Sequence, residues 1–356
     1  MASIYIDTDT HFLPITWLDH VSSGEQRGGM ALEIQNGRAV CLRDGGNVFS
    51  MPEDGWDLRK RLAVMDQHGF HIQVLIPENR PLIYEVDPDA GRALARAYND
   101  ATAAHLAQLG VDRDRFLGVA WVYLPDVTGA VAELDRAVRQ LGMRAVKVLG
   151  DFGDVHLGSE ILYPFYKKVA ELDVPILAHG AARTTQAEPV NPVLVGADRF
   201  GADYGFLASA LGFPFTYMLS MAHLIFSGTL DRFPTLKFGI FEAGVGWVPY
   251  LLNRLDIYYD HQLARPDQDS KAGELVRRPS EYIDRFYITV HTKESYLPDI
   301  VRLVPNHRFM LGSDFYHGDP NGLWPTALQD LLQMPGLPED EKERILDTNP
   351  REFFGL

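Results

Sequence analysis

A chain of 356 residues that is 46% hydrophobic and 23% charged can build a large core, and this composition excludes a disordered or fibrous molecule. Its formal net charge of −15, with no long cluster of Lys and Arg, argues against nucleic acid as a partner. Even the apolar stretch 213–226 is interrupted by Pro214 and His223 and falls short of a bilayer span, so no membrane role is expected.

Short apolar or β-branched runs recur at residues 3–6, 72–76, 116–122, 145–149, 175–178, 237–241, 286–290 and 309–312. Segments of helical periodicity separate them, clearest at 88–109, 127–141 and 160–172, with weaker ones at 58–68, 216–226, 247–259 and 297–303 and a last at 339–346. Eight alternations predict an α/β fold with eight parallel strands, a (β/α)8 TIM barrel formed as one domain over residues 1–356. Two connections are too long for simple turns. Residues 12–55 form an insertion with a hairpin-like stretch at 30–42 that turns at Asn36-Gly37, and we expect it to act as a lid. Residues 181–215 form a second long loop on the same face.

Ionisable residues cluster where strands end. Asp9 and His11 fall just past the first predicted strand, His179 after the fifth, Glu242 after the sixth and Asp314 after the eighth. A barrel gathers the C-terminal ends of its strands around one axis, where such donors can share a divalent ion. The i, i+2 spacing of Asp9 and His11 points both side chains the same way from an extended chain. His179 and Asp314 each end an apolar run, and an ionised carboxylate there needs a cation or several donors to offset its desolvation. Imidazole with carboxylate suits zinc first, with manganese or iron as alternatives, and no organic cofactor is called for.

Asp9-Thr-His11, Trp56-Asp57 with Arg61 and Met65-Asp66, His179-Gly180, Phe233-Pro234, Glu242 through Trp247, Gly312-Ser-Asp314 and Asn349-Pro-Arg together resemble the amidohydrolase superfamily. The resemblance is to the branch related to aminocarboxymuconate-semialdehyde decarboxylase and runs over nearly the whole chain. It implies a metal-bearing barrel with Asp9, His11, His179 and Asp314 as ligands and Asp314 also in the chemistry. The family carries a catalytic His on the sixth strand where this chain has Glu242, which leaves Glu242 open to three roles: proton transfer, metal ligation or helix capping. His317, three residues beyond Asp314, is a second candidate proton donor, and His223, on a predicted helix, a third. Trp247, Phe315, Lys147, Arg183 and His291 are candidate substrate contacts, the cations for a carboxylate and the aromatics for an unsaturated ring.

The expected activity is metal-dependent, non-oxidative decarboxylation of a small unsaturated or aromatic carboxylic acid. The alternative is hydrolysis of an amide, lactone or C–C bond in a small organic acid, with Asp314 or Glu242 taking a proton from water. A metal-stabilised barrel without catalysis is a third possibility. The resemblance implies a homodimer. The single cysteine, Cys41, and an N-terminus without a charged-then-apolar leader lead us to expect a cytoplasmic protein.

Overall fold

The computed structural model describes residues 4–17, 30–43, 46–78, 83–85, 87–152, 155–180, 208–265, 274–317 and 324–356. Eight strands stand in one sheet in chain order: β1 (Ile6–Phe12), β2 (Ile72–Pro77), β3 (Phe116–Trp121), β4 (Ala145–Val148), β5 (Ile176–Ala178), β6 (Phe238–Ile240), β7 (Phe286–Val290) and β8 (Arg308–Leu311). Registered pairs such as Ile6 with Ile72, Val119 with Ala145 and Gly239 with Tyr287 are parallel. Strands such as β3, β4 and β7 are largely apolar and buried along their whole length, as parallel strands flanked by helices must be.

By internal packing the chain divides into two compact units, one of residues 1–148 and 311–330 and one of residues 149–310 and 331–356. In the first unit, the helices Leu58–His68, Pro88–Ala107 and Val127–Leu141 start on aspartates whose carboxylates accept backbone N–H groups of the first turn: Asp57, Asp87 and Asp126. Gly69 and Gly142, at φ 84° and 73°, end the first and third. The insertion is a three-stranded antiparallel sheet, Met30–Gln35, Arg38–Arg43 and Gly46–Pro52, with its first turn at Asn36-Gly37 as expected. Ala39 and Met51 of that sheet lie in a buried cluster with Trp17, Tyr98 and Trp121.

In the second unit, the helix Phe213–Phe226 begins three residues earlier than the periodicity predicts, because Pro214 in its first turn is a helix starter and not a break. The helix Val248–Leu263 follows β6, and Leu297–Leu303 follows β7. The chain ends with Glu339–Glu343, a wide turn and Asn349–Phe354 in place of one helix over 339–346. Residues 181–207 of the expected long loop, with Arg183, lie outside the described residues. Among the described residues, no helix is long and apolar enough to cross a membrane.

The largest departure from the sequence expectation is β1. It begins at Ile6 and runs through Phe12, so Asp9 and His11 sit within the strand and not beyond it. All seven residues are buried although five of them, Asp7 through His11, are polar. The polar groups find partners: Thr8 Oγ1 donates to Leu311 O at 2.8 Å and Thr10 Oγ1 to Val74 O at 2.7 Å. Burial without such bonds would cost a few kcal/mol per group, which is why a strand this polar is hard to recognise from hydropathy.

Candidate active site

The first unit gathers ionisable residues from β1 and from just beyond two other strands. Asp9 and His11 come from β1, Glu78 follows β2 directly, and Asp314 and His317 lie on the segment after β8. Donor atoms of His11, Asp314 and His317 lie within 4.8 Å of one another, as do those of Asp9 and His11. His11 Nε2 is 3.0 Å from Asp314 Oδ1, and both side chains are at most 5% exposed. His317 bridges two acids, with Nδ1 2.7 Å from Asp314 Oδ1 and Nε2 3.1 Å from Glu78 Oε2.

Asp314 is held by the main chain. It adopts φ 54°, its N–H donates to Asp9 O at 2.9 Å, and its own carbonyl accepts from His317 N at 2.8 Å. Behind it, the buried carboxylate of Asp7 accepts from Ser313 N, from Ser313 Oγ at 2.7 Å and from Gln73 Nε2 at 3.1 Å. Burial pushes the Asp7 carboxyl up to about 7 against the pull of the Ser313 bonds. Asp7 is thus a brace that ties the turn carrying Asp314 to β1.

Arg61 braces the other side. Its fully buried guanidinium donates to Asp54 O, Gly55 O and His11 O, and lies 4.5 Å over the Phe315 ring. Burial lowers it to about 10, still charged at neutral pH. Glu78, buried beside His11, is a carboxyl whose ordinary fate would be protonation. Burial raises it, but His11, His317 and Lys147 together override that and hold it well below the usual carboxylate range. Burial likewise opposes charge on His317, and Glu78 and Asp314 override it and hold the imidazole well above its usual value.

The second unit brings His179 and Glu242 together, with His179 Nε2 3.6 Å from Glu242 Oε1. The Nδ1 of His179 is 3.0 Å from Gly180 O. With the proton on Nδ1 as donor to that carbonyl, Nε2 presents its lone pair, the tautomer a metal ligand needs. Glu242 sits at φ 62° with its side chain 8% exposed, and its N–H donates to Thr289 Oγ1.

The other expected residues are placed as follows. His223 packs against His156, ring centroids 3.8 Å apart, on the helix before β6, and burial lowers its pKa. Lys147 is buried, with Nζ donating to Pro77 O at 2.5 Å beside Glu78. Phe315 is buried between Arg61 and Trp324. Trp247 donates its indole N–H to Ala243 O and Gly244 O. His291, after β7, accepts from Lys293 N at its Nδ1. Sequence reasoning did not single out Asp7, Glu78, Ser313, Thr289 or Glu294.

The buried imidazole of His11, the partly exposed one of His317 and the buried carboxylates of Asp9 and Asp314, with a third carboxylate at Glu78, give the first unit a nitrogen-and-oxygen donor set that fits a divalent cation. The arrangement is a divalent-metal site.

A family model described as amidohydrolase matches residues 6–356. The chain belongs to the amidohydrolase family. Within that family it is 26% identical to the 2-amino-3-carboxymuconate-6-semialdehyde decarboxylase of Dictyostelium discoideum over 359 positions, covering 99% of this chain and 92% of the relative. It is 27% identical to a gamma-resorcylate decarboxylase of a Rhizobium species over 354 positions, covering 93% and 99%. Among solved structures it resembles the 5-carboxyvanillate decarboxylase of Novosphingobium aromaticivorans, complexed with manganese and 4-hydroxy-3-methoxy-5-nitrobenzoic acid. The TM-score is 0.73 at 21% identity, over 100% of this chain and 97% of that one. That likeness gives this amidohydrolase its fold, an α/β barrel of eight parallel strands with a small antiparallel insertion after the first.

Proposed function

We propose that this amidohydrolase is a metal-dependent, non-oxidative decarboxylase of a small unsaturated or aromatic carboxylic acid. The observation that carries this reading is the linked His11–Asp314–His317–Glu78 chain in a protein whose end-to-end relatives are decarboxylases of such acids. We assign Asp9, His11 and Asp314, with His179, as the metal ligands. Two carboxylates in that set, and the manganese in the related structure, favour manganese over zinc or iron. When bound, the ion supplies Lewis-acid attraction for the substrate carboxylate and a neighbouring oxygen.

The chain's own groups supply the proton. Loss of CO2 leaves the bonding electron pair on the ring or α-carbon, which must be protonated as the C–C bond breaks or soon after. His317, 29% exposed in its side chain and steadied at both ring nitrogens, is the donor nearest solvent. Glu242 stands where the family carries its sixth-strand His and is the second donor of this reading. Asp314 contributes by fixing His317 Nδ1.

Metal-loaded protein incubated with a panel of hydroxybenzoates and unsaturated diacids should release one CO2 for each acid consumed. Hydrolysis products formed without CO2 would overturn the reading. The hydrolytic alternative rests on one observation, a carboxylate at Glu242 where decarboxylases carry an imidazole, since a carboxylate suits proton abstraction from water. We also infer a homodimer in the cytoplasm. Sedimentation of the purified protein tests the first, and fractionation of the source cell the second.

A further inference from the structure

The short segment between β6 and the helix Val248–Leu263 is bent in a way that chains with side chains resist. Glu242 and Gly244 both lie in the left-handed region, at φ 62° and 59°. Gly tolerates this; Glu does so only where its surroundings hold it. Three clamps do the holding. Glu242 N donates to Thr289 Oγ1 at 3.2 Å. The Trp247 indole N–H donates to Ala243 O and Gly244 O at 3.1 and 3.0 Å. The third clamp is Glu294, from the turn after β7, whose two carboxylate oxygens each take one backbone N–H: Oε2 from Val245 at 3.0 Å and Oε1 from Gly246 at 2.9 Å.

Glu294 is itself fixed by its backbone, with its N–H donating to His291 O and its carbonyl accepting from Leu297 N. The fit around its carboxylate is close, because a Cβ added at Gly244 would stand 2.7 Å from Glu294 Oε1. A charged acceptor in contact with two successive amide donors makes stronger bonds than a neutral one. Both oxygens are engaged with the main chain, so the purpose of this acid lies in the loop it grips.

We propose that Glu294 is a positioning residue for the reaction, holding the 242–246 segment so that the Glu242 carboxylate stays beside His179. The inference rests on the reading above in which Glu242 takes part in proton transfer. If the grip is released, the backbone at 242 relaxes toward negative φ and carries the side chain away from its 3.6 Å approach to His179 Nε2. The effect should appear in the chemical step and not in substrate binding.

The test is a mutant cycle with 2,6-dihydroxybenzoate and the acids of the CO2 panel as probes. Glu294→Gln, which keeps only one acceptor oxygen, should lower kcat about tenfold or more with KM changed less than about twofold. Glu294→Asp should recover part of the loss. In the double variant with Glu242→Gln, the loss should be no greater than for Glu242→Gln alone, because both act through the same group. Hydrogen exchange at the Val245 and Gly246 amides should accelerate in Glu294→Gln, a readout that needs no turnover. Thr289→Val, which releases the Glu242 amide and the longer bond from Thr289 Oγ1 to Ile240 O, should repeat the kcat pattern and serves if Glu294→Gln does not fold. Wild-type kcat in Glu294→Gln while Glu242→Gln is impaired, multiplying losses in the double variant, or unchanged exchange at 245 and 246 would each overturn the proposal. Wild-type turnover in Glu242→Gln would instead overturn the role of Glu242 itself.

Discussion

Glu78 Oε2 lies 3.1 Å from His317 Nε2, so the imidazole on the loop after β8 takes its orientation from an acid at the end of β2. Asp314 holds the other nitrogen, and rotation of the ring would break both contacts. Replacing Glu78 by Gln removes the charge and keeps the shape. Turnover should fall about 10- to 100-fold, the range typical of groups that orient a functional imidazole. His317→Asn should lose at least as much, and the double variant should lose no more than His317→Asn alone. Steady-state rates with a melting curve for each variant check this.

Metal removal should be legible in stability as well as in rate. An ion that binds only the folded state adds about 2.7 kcal/mol at a hundredfold excess over its Kd. Chelator-treated protein should therefore melt lower and recover on addition of Mn²⁺. Asp314→Ala and His11→Ala should abolish that recovery, and elemental analysis of wild-type protein purified without chelator should find one ion per chain. Recovery undiminished in both variants would remove these residues from the ligand set.

Much of this architecture is legible in the amino-acid sequence. Seven of the eight strands begin within about two residues of where apolar runs predict them, because parallel strands buried on both faces are the easiest elements to recognise from hydropathy. β1 is the exception because its buried stretch is Asp-Thr-Asp-Thr, whose partners at Leu311, Val74 and Ser313 are far away in sequence. Glu78 carries a usable signal that periodicity alone passes over: it ends the run Val-Leu-Ile-Pro in the same manner as His179 and Asp314 end theirs. Thr289 and Glu294 give none, since their importance depends on a loop 40 or more residues away bending at Glu242 and Gly244. Aromatic character alone does not foretell that Phe315 is engaged by Arg61 or that the Trp247 indole N–H is engaged by the 243–244 carbonyls.

His307 should give the protein an acid-sensitive stability. The imidazole is 2% exposed, and burial, with the nearby Arg344 guanidinium, pushes it down to about 4. Glu341 lies 3.4 Å away, with its other oxygen bound by Arg344. An unfolded histidine titrates near 6.5, so between about 6.5 and 4 the unfolded chain binds more protons than the folded one. The contribution is complete above about pH 6.5 and declines as pH falls through that window, by about 3 kcal/mol at most. His307→Gln should flatten this part of the curve of Tm against pH, and an unchanged slope would remove His307 as its source.

Met51 offers a test of how firmly the inserted sheet is joined to the first unit. Its side chain is fully buried against the cluster of Trp17, Tyr98 and Trp121. Met51→Ala should cost about 2–5 kcal/mol by leaving a cavity, visible as a lower denaturant midpoint. Met51→Leu, close in volume, should cost less than about 1.5 kcal/mol.

Arg61 has a consequence for anyone wishing to exchange the segment ahead of it for another loop. One side chain closes bonds to the carbonyls of Asp54 and Gly55 and, with the same terminal nitrogen that reaches Gly55, to the carbonyl of His11. A graft that displaced residues 54 and 55 would strand a cation in a dry interior and unfasten the strand bearing His11. Lysine, a single point donor on a flexible stem, could not replace that planar fork. The segment at 54–55 and the strand bearing His11 are therefore parts of one mechanical unit, and this protein should tolerate exchange of single side chains more readily than replacement of the segment wholesale.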